Sequence, residues 1–176
     1  MLKLDRGRLT VKTTPMFKRK LLLAAAFLFW APSSFAGSMG NPGDWIFSGG
    51  MGLTINPTLA LISPQAEYLV RQNITVGPLL QLGIGNGGIL FAPSVAGRII
   101  IGHNPRFKPS VEGGIGMAVA SGDYNSAVGF LFHFGMGFDY VVDNGISLGT
   151  MIRADFAPPL QTVFLSWPVL VARFRI

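Results

Sequence analysis

The chain contains no cysteine, which excludes a disulfide framework and a thiolate zinc site. Charge is scarce: Asp, Glu, Lys and Arg make up 12% of the 176 residues, about half the share of an ordinary soluble domain. From residue 37 onward no apolar run approaches the ~20 residues that a membrane helix needs. The 23 glycines and 12 prolines are too few and too aperiodic for collagen. Conversely, a 49% apolar content is far too high for a disordered chain. A sequence this apolar and this poor in charge must hide its surface from water or place it in lipid.

The formal charge of +6 is not spread over the chain. Residues 1–36 hold seven basic residues and one acid, Asp5, and so carry all of it. Residues 37–176 hold seven bases and seven acids. No basic stripe remains there, so nucleic acid is not expected as a partner. The first 36 residues have the grammar of a secretory signal. Lys18-Arg19-Lys20 is a cationic start, and Leu21 to Trp30 an apolar stretch of ten residues. Pro32 ends that stretch, and Ser34 and Ala36 are small residues at −3 and −1 before Gly37. Ten residues make roughly 15 Å of helix, half of a bilayer's hydrocarbon thickness. The expected organisation is an N-terminal extension and cleaved signal over 1–36, followed by one domain over 37–176. Met1 and Met16 both remain open as translation starts.

Within 37–176 the recurring pattern has a period of two. Phe130, Phe132, Phe134, Met136, Phe138 and Tyr140 alternate with Leu131, His133, Gly135, Gly137 and Asp139. One face is large and apolar, the other small or polar. A soluble sandwich would also alternate, but its outer face would carry abundant Lys and Glu, whereas this chain offers Gly, Ser and Ala. Small residues suit the crowded interior of a narrow barrel. The same alternation predicts eight strands, at about 45–53, 63–70, 74–83, 91–101, 109–119, 128–141, 146–156 and 162–176. In the last of these, Phe164, Leu170, Phe174 and Ile176 are expected outward, opposite Arg173 and Arg175, and Trp167-Pro168 suggests a bulge. Lipid offers no partners to backbone N–H and C=O groups, so only helices or closed barrels span it. Helices of sufficient length are missing. The predicted fold is therefore all-β: an eight-stranded, antiparallel, up-and-down transmembrane β-barrel.

Turn chemistry orients it. Arg71-Gln72-Asn73, residues 102–107 with Asn104-Pro105, and Asp143-Asn144-Gly145 are expected as tight turns. Connections near 54–62, 84–90, 120–127 and 157–161 lie at the other end. Short turns face the periplasm in such barrels, which predicts that both termini are periplasmic. Aromatic residues form two expected girdles. Trp45, Tyr68, Phe107, Tyr140 and Phe174 mark the periplasmic one, and Phe91, Phe130, Phe156 and Phe164 the outer one.

By parity the lumen receives Glu67, Glu112, Asp139 and Asp155 together with Arg98, Arg153, Arg173, Arg175 and His133. Unpaired charge in a narrow lumen is costly, so mutual neutralisation is the expected role, with a charged, gated pore as the alternative. Mirrored positions about the turns predict Arg98–Glu112 and His133–Asp155 as cross-strand contacts, with Gly135 opposite Arg153. His133 and Asp155 could also join Ser121 or Ser126 in a hydrolytic triad, but no nucleophile elbow supports one. His103 sits in a turn. No ligand spacing for a metal is present, and no cofactor is expected. The glycines between Gly83 and Gly88 lack the lysine of a nucleotide loop.

Three segments carry a resemblance to a known family. They are the secretory leader, the Val128-to-Val141 alternation followed by Asp143-Asn144-Gly145-Ile146-Ser147-Leu148-Gly149, and the terminal Val171-Ala172-Arg173-Phe174-Arg175-Ile176. Together they resemble the small outer-membrane β-barrel superfamily of the OmpA transmembrane domain, OmpX, OmpW and the opacity-type proteins. The resemblance covers about 37–176. It implies an outer-membrane protein of a Gram-negative bacterium, delivered by the barrel-assembly machinery and surrounded by outer-membrane lipid and lipopolysaccharide. A monomer is favoured. The terminal strand resembles an assembly signal, with Ile176 where Phe is usual. The motifs specify architecture more than activity. A non-catalytic envelope or surface-interaction role is expected first, with a narrow passage for small or apolar solutes, as the OmpW resemblance implies, second. A lipid-modifying barrel enzyme comes third.

Overall fold

The computed structural model describes residues 40–85, 88–102, 104–122, 126–158 and 162–176. The expected signal over 1–36 and His103 lie outside the described residues. Eight strands follow one another: β1 (Trp45–Ile55), β2 (Leu59–Arg71), β3 (Ile74–Gly85), β4 (Gly88–Ile100), β5 (Phe107–Ser121), β6 (Ser126–Asp143), β7 (Ile146–Ala157) and β8 (Thr162–Arg175). Each pairs antiparallel with the next, and β1 pairs with β8, so the sheet closes into a barrel without a free edge. No helix among the described residues is long and apolar enough to cross a membrane. Closure is what satisfies the backbone instead.

The alternation sorts side chains to the two faces as a barrel wall requires. Large apolar residues point out: Phe130 is 68% exposed, Ile115 64% and Met51 63%. Charged and polar residues point in, where Glu67, Gln81 and Asp155 are fully buried. This inverts the arrangement of a soluble barrel and is the pattern expected of a wall that faces hydrocarbon. At the end where β1 begins and β8 finishes, Trp45 stacks edge-on against Tyr68 at 5.4 Å, and Phe107 lies 5.2 Å from Phe138. Trp45, Tyr68, Phe107, Tyr140 and Phe174 are all outward there, and Phe91, Phe130 and Phe156 are outward towards the far end.

The strands run longer than alternation suggested, and the far-end connections are correspondingly shorter. β1 and β2 are joined by Asn56, Pro57 and Thr58 alone. Thr54 closes this turn: its Oγ1 donates to the Pro57 carbonyl at 2.6 Å and accepts from the Leu59 N–H at 3.1 Å. Strand β2 begins with Leu59-Ala60-Leu61-Ile62, where both faces are apolar, so alternation in hydropathy gives no signal. At the other end Gly145 adopts φ 96°, the left-handed conformation that the β6–β7 turn requires.

One expectation is overturned. Phe164 points inward and is 2% exposed, while Val163 and Leu165 face out. The cause lies further along β8. Register with β1 slips between Met51↔Leu170 and Leu53↔Trp167, and register with β7 slips between Gly149↔Val171 and Arg153↔Ser166. The extra residue of this bulge puts Val169 and Leu170 both outside and reverses the parity of everything before it. Thr150 holds the bulge: its Oγ1 donates to the Pro168 carbonyl at 3.1 Å and accepts from Trp167 Nε1 at 3.0 Å. A Cβ on Gly52 would run into the Trp167 carbonyl, so the bulge also requires glycine on the neighbouring strand.

Candidate functional site: the filled lumen

The inward face is stratified along the barrel. Near the end where β1 begins lie Ile46, Leu69 and Ile100, each at most 1% exposed. Next comes a ring built from one residue of each even-numbered strand: Glu67 on β2, Arg98 on β4, Asp139 on β6 and Arg173 on β8. Arg98 donates to Glu67 Oε2 from Nη2 at 2.7 Å and from Nε at 3.1 Å, and to Asp139 Oδ2 from Nη1 at 2.7 Å. Arg173 donates through Nη1 to Asp139 Oδ1, and its Nε lies 3.9 Å from Glu67 Oε1. Thr75 Oγ1 adds a 2.7 Å bond to Glu67.

A second cluster centres on Glu112. Arg153 Nε donates to its Oε1 at 2.6 Å, Gln65 Nε2 donates to its Oε2 at 3.1 Å, and His133 Nε2 stands 3.7 Å away. Asp155 anchors a third group, accepting from Gln81 Nε2 at 2.9 Å and Ser166 Oγ at 2.6 Å. Beyond it the lumen turns apolar: Leu59, Leu90, Ala92, Ala118, Leu131, Ala157 and Phe164 pack into one cluster at the far end. Charged groups are thus held in a low-dielectric interior where each carboxylate has a polar partner, the condition under which buried charge is tolerable.

Several sequence expectations change here. Arg98 and Glu112 do occupy partner positions on β4 and β5, and His133 and Asp155 on β6 and β7. The side chains of Arg98, Glu112 and Asp155 nonetheless bond elsewhere, and that of His133 makes no hydrogen bond among the described residues, its Nε2 standing 3.7 Å from Glu112 Oε1. Strands in a barrel are tilted and staggered, so the nearest group across a narrow lumen comes from another register position. Gly135 lies opposite Arg153 and leaves room for its stem; a Cβ there would come within 2.9 Å of Arg153 Cγ. Arg175, expected inside, lies at the barrel's mouth with its side chain 36% exposed, 3.8 Å from Asp44. It is the last residue of β8, at the open end of the lumen. The fourth base facing inward is Lys108, only 3% exposed and paired in register with Asp139. Sequence reading left Lys108 between the 102–107 turn and the strand expected from about 109. The signal was available: Lys108, Ser110 and Glu112 continue the inward alternation.

The triad does not assemble. Ser121 and Ser126 are exposed and bond to each other, Oγ to Oγ at 3.0 Å, whereas His133 is buried further down β6. Among the described residues no group of three His, Cys, Asp or Glu could hold a metal. A small cavity of about 170 Å3 opens at the end where β1 begins, bordered by Ile46, Ser147, Arg173 and Arg175.

No protein-family model matches the chain, and no curated protein matches it. Solved structures do. The N-terminal β-barrel domain of Pseudomonas aeruginosa OprF superposes with a TM-score of 0.63 at 11% identity, covering 78% of this chain and 100% of that one. The fold is that of the small outer-membrane barrels. Neisserial surface protein A matches with a TM-score of 0.55 at 14% identity over 78% of this chain and 98% of its own. Ail, the attachment invasion locus protein of Yersinia pestis, solved with the heparin analogue sucrose octasulfate, gives 0.53 at 12% identity over 76% and 99%. A barrel with so little sequence in common with these shares their wall and not, by that likeness, their ligands.

Proposed function

We propose that this protein is an integral outer-membrane barrel of a Gram-negative bacterium, with both termini in the periplasm and a non-catalytic role in the envelope or in contacts at the cell surface. The observation that carries this reading is the pairing of an apolar outside with a lumen filled by side chains. The Glu67–Arg98–Asp139–Arg173 ring and the Leu59–Leu90–Leu131–Phe164 cluster block it in series. The aromatic girdles suit a single barrel surrounded by lipid and lipopolysaccharide, and the alternating terminal strand suits delivery by the barrel-assembly machinery. A heparin-like ligand does not transfer from Ail: the far-end connections carry no Lys or Arg in the sequence.

Fractionation combined with heat-modifiable gel migration tests the first half of this reading. A soluble protein with no shift on heating sinks it. Planar-bilayer recording tests the second half. The narrow-passage alternative has the cavity beside Arg173 in its favour and requires steady single-channel steps from the unmodified protein. A silent bilayer supports the filled lumen. The lipid-modifying enzyme requires an altered lipid A profile when the gene is deleted.

A further inference from the structure

Three prolines sit at mid-strand on three consecutive strands: Pro64 on β2, Pro78 on β3 and Pro93 on β4. Proline donates no N–H, and within sheets it is confined to edges, strand starts and bulges. A closed barrel has no edge, and the register of β2, β3 and β4 does not slip at any of the three. Elsewhere Pro109 stands near the start of β5 and Pro168 in the bulge of β8, so those two are explained. Pairing between β2 and β3 passes from Ile62↔Leu82 to Gln65↔Leu79 and then to Tyr68↔Val76, skipping Pro64 and Pro78. Between β4 and β5 it passes from Phe91↔Val119 to Ser94↔Gly116, skipping Pro93. Three ladder donors are thus given up on one patch of wall, where lipid outside supplies no substitute. Local rules broken together at one place mark function more often than accident.

The same patch is indented. A groove of about 470 Å3 opens on the outside between Phe47 and Phe91, with Pro64, Ala66, Pro78 and Pro93 along its sides. Ser48, Gln65, Leu79 and Ser94, residues of the inward face, border it as well. Their polar side chains are engaged: Ser48 donates to the Gln65 carbonyl, Ser94 to the Leu79 carbonyl (3.4 Å each), and Gln65 Nε2 to Glu112 at 3.1 Å. No charged side chain lines the groove.

We infer that this groove is a binding site for one hydrocarbon chain of a membrane lipid. The inference rests on the membrane reading above. Mid-height in the wall is where a bilayer holds acyl chains and no head groups. The sides are apolar, the Ser48, Gln65 and Ser94 side chains are already bonded, and no charged side chain lines the groove to hold a head group. A slender flexible chain fits between two phenylalanines; a second barrel would bring its own projecting aromatic belt against them.

The test uses the full chain in phosphatidylcholine vesicles doped with a phosphatidylcholine that carries a diazirine near the methyl end of one chain. After irradiation, adducts are mapped by mass spectrometry. Met136 and Ile152, outward on β6 and β7, are the reference positions. Several-fold more adduct on Pro64, Ala66, Pro78 and Leu80 than on the references is expected. Ala66→Phe should fill the groove and bring its labelling down to the reference level, with Met136 and Ile152 unchanged; Ala66→Leu serves if the larger residue prevents insertion. Even labelling around the barrel overturns the groove and leaves the membrane reading intact. No adduct anywhere overturns both. Protein–protein adducts at the groove in place of lipid assign it to a second copy and overturn the inference.

Discussion

Arg98 and Glu112 are direct neighbours in the β4–β5 ladder, yet their charged ends bond to different partners. Arg98 reaches across the lumen to Glu67 and Asp139, while Glu112 is held by Arg153 and Gln65. The charge pattern of this barrel is therefore a set of transverse rings, and adjacency along the wall is a poor guide to energetic coupling.

Double-mutant cycles on chemical denaturation should reveal those rings. Arg98→Met leaves Glu67 and Asp139 short of a partner in a dry interior and is expected to cost ~3–5 kcal/mol. Coupling between positions 98 and 67 should be large, and coupling between 98 and 112 a small fraction of it. Equal coupling in the two cycles would contradict the ring.

Conductance should depend on several obstructions in series, with the ring and the far-end cluster on either side of the Glu112 and Asp155 groups. Removing the ring alone (Arg98→Ala with Glu67→Ala) or the far-end cluster alone (Phe164→Ala with Leu131→Ala) is expected to leave planar bilayers silent. Steady single-channel steps should appear only when Glu112→Ala, Arg153→Ala and Asp155→Ala, which clear the layers between, are added to the four changes. Steps from either pair alone would show that the pair removed closes the tube by itself.

The inward turn of Phe164 separates it from Phe156, which faces out. Phe164→Ala should open a cavity among Leu59, Leu90 and Leu131 and lower stability by ~3–5 kcal/mol. Phe156→Ala, with lipid to fill the space, should cost much less. Urea titration of both variants in the same detergent or lipid decides it, and similar losses would speak against the parity reversal.

Glycine positions give a paired comparison without charge. A Cβ on Gly114 would strike the His133 ring and come within 2.7 Å of the Val95 carbonyl, whereas one on Gly49 meets nothing within 4 Å. Gly114→Ala should therefore lower the unfolding midpoint clearly, by an amount in the ~1–3 kcal/mol range of overpacked cores. Gly49→Ala should leave the midpoint nearly unchanged.

Thr150 ties the bulge of β8 to β7 through two hydrogen bonds. Thr150→Val keeps the shape and loses both, at an expected ~1–3 kcal/mol for the groups left unpaired. Freed Trp167 should report the change as a shift in its fluorescence emission. An unaltered spectrum and unaltered stability would show that the bulge is held by proline and the Gly52 contact alone.

The sequence by itself determined the number of strands, their order and which face of most strands meets lipid. It could do so because period-two alternation is a local property, repeated eight times, and because tight turns such as Asp143-Asn144-Gly145 fix the register of their own hairpins. It also sorted Glu67, Arg98, Glu112, His133, Asp139, Arg153, Asp155 and Arg173 to the inside. Where the local signal lapsed, the reading lapsed with it: Leu59 to Ile62 are apolar on both faces, and Lys108 fell between a turn and the expected start of its strand. Tertiary structure decided the rest. The parity of Phe164 depends on a bulge several residues away that two neighbouring strands must accommodate. The partners of Arg98 and Glu112 depend on strand tilt, which sets which heights coincide across the lumen. The groove at Pro64, Pro78 and Pro93 exists only because the registers of two successive hairpin ladders bring three separate mid-strand prolines side by side on one wall.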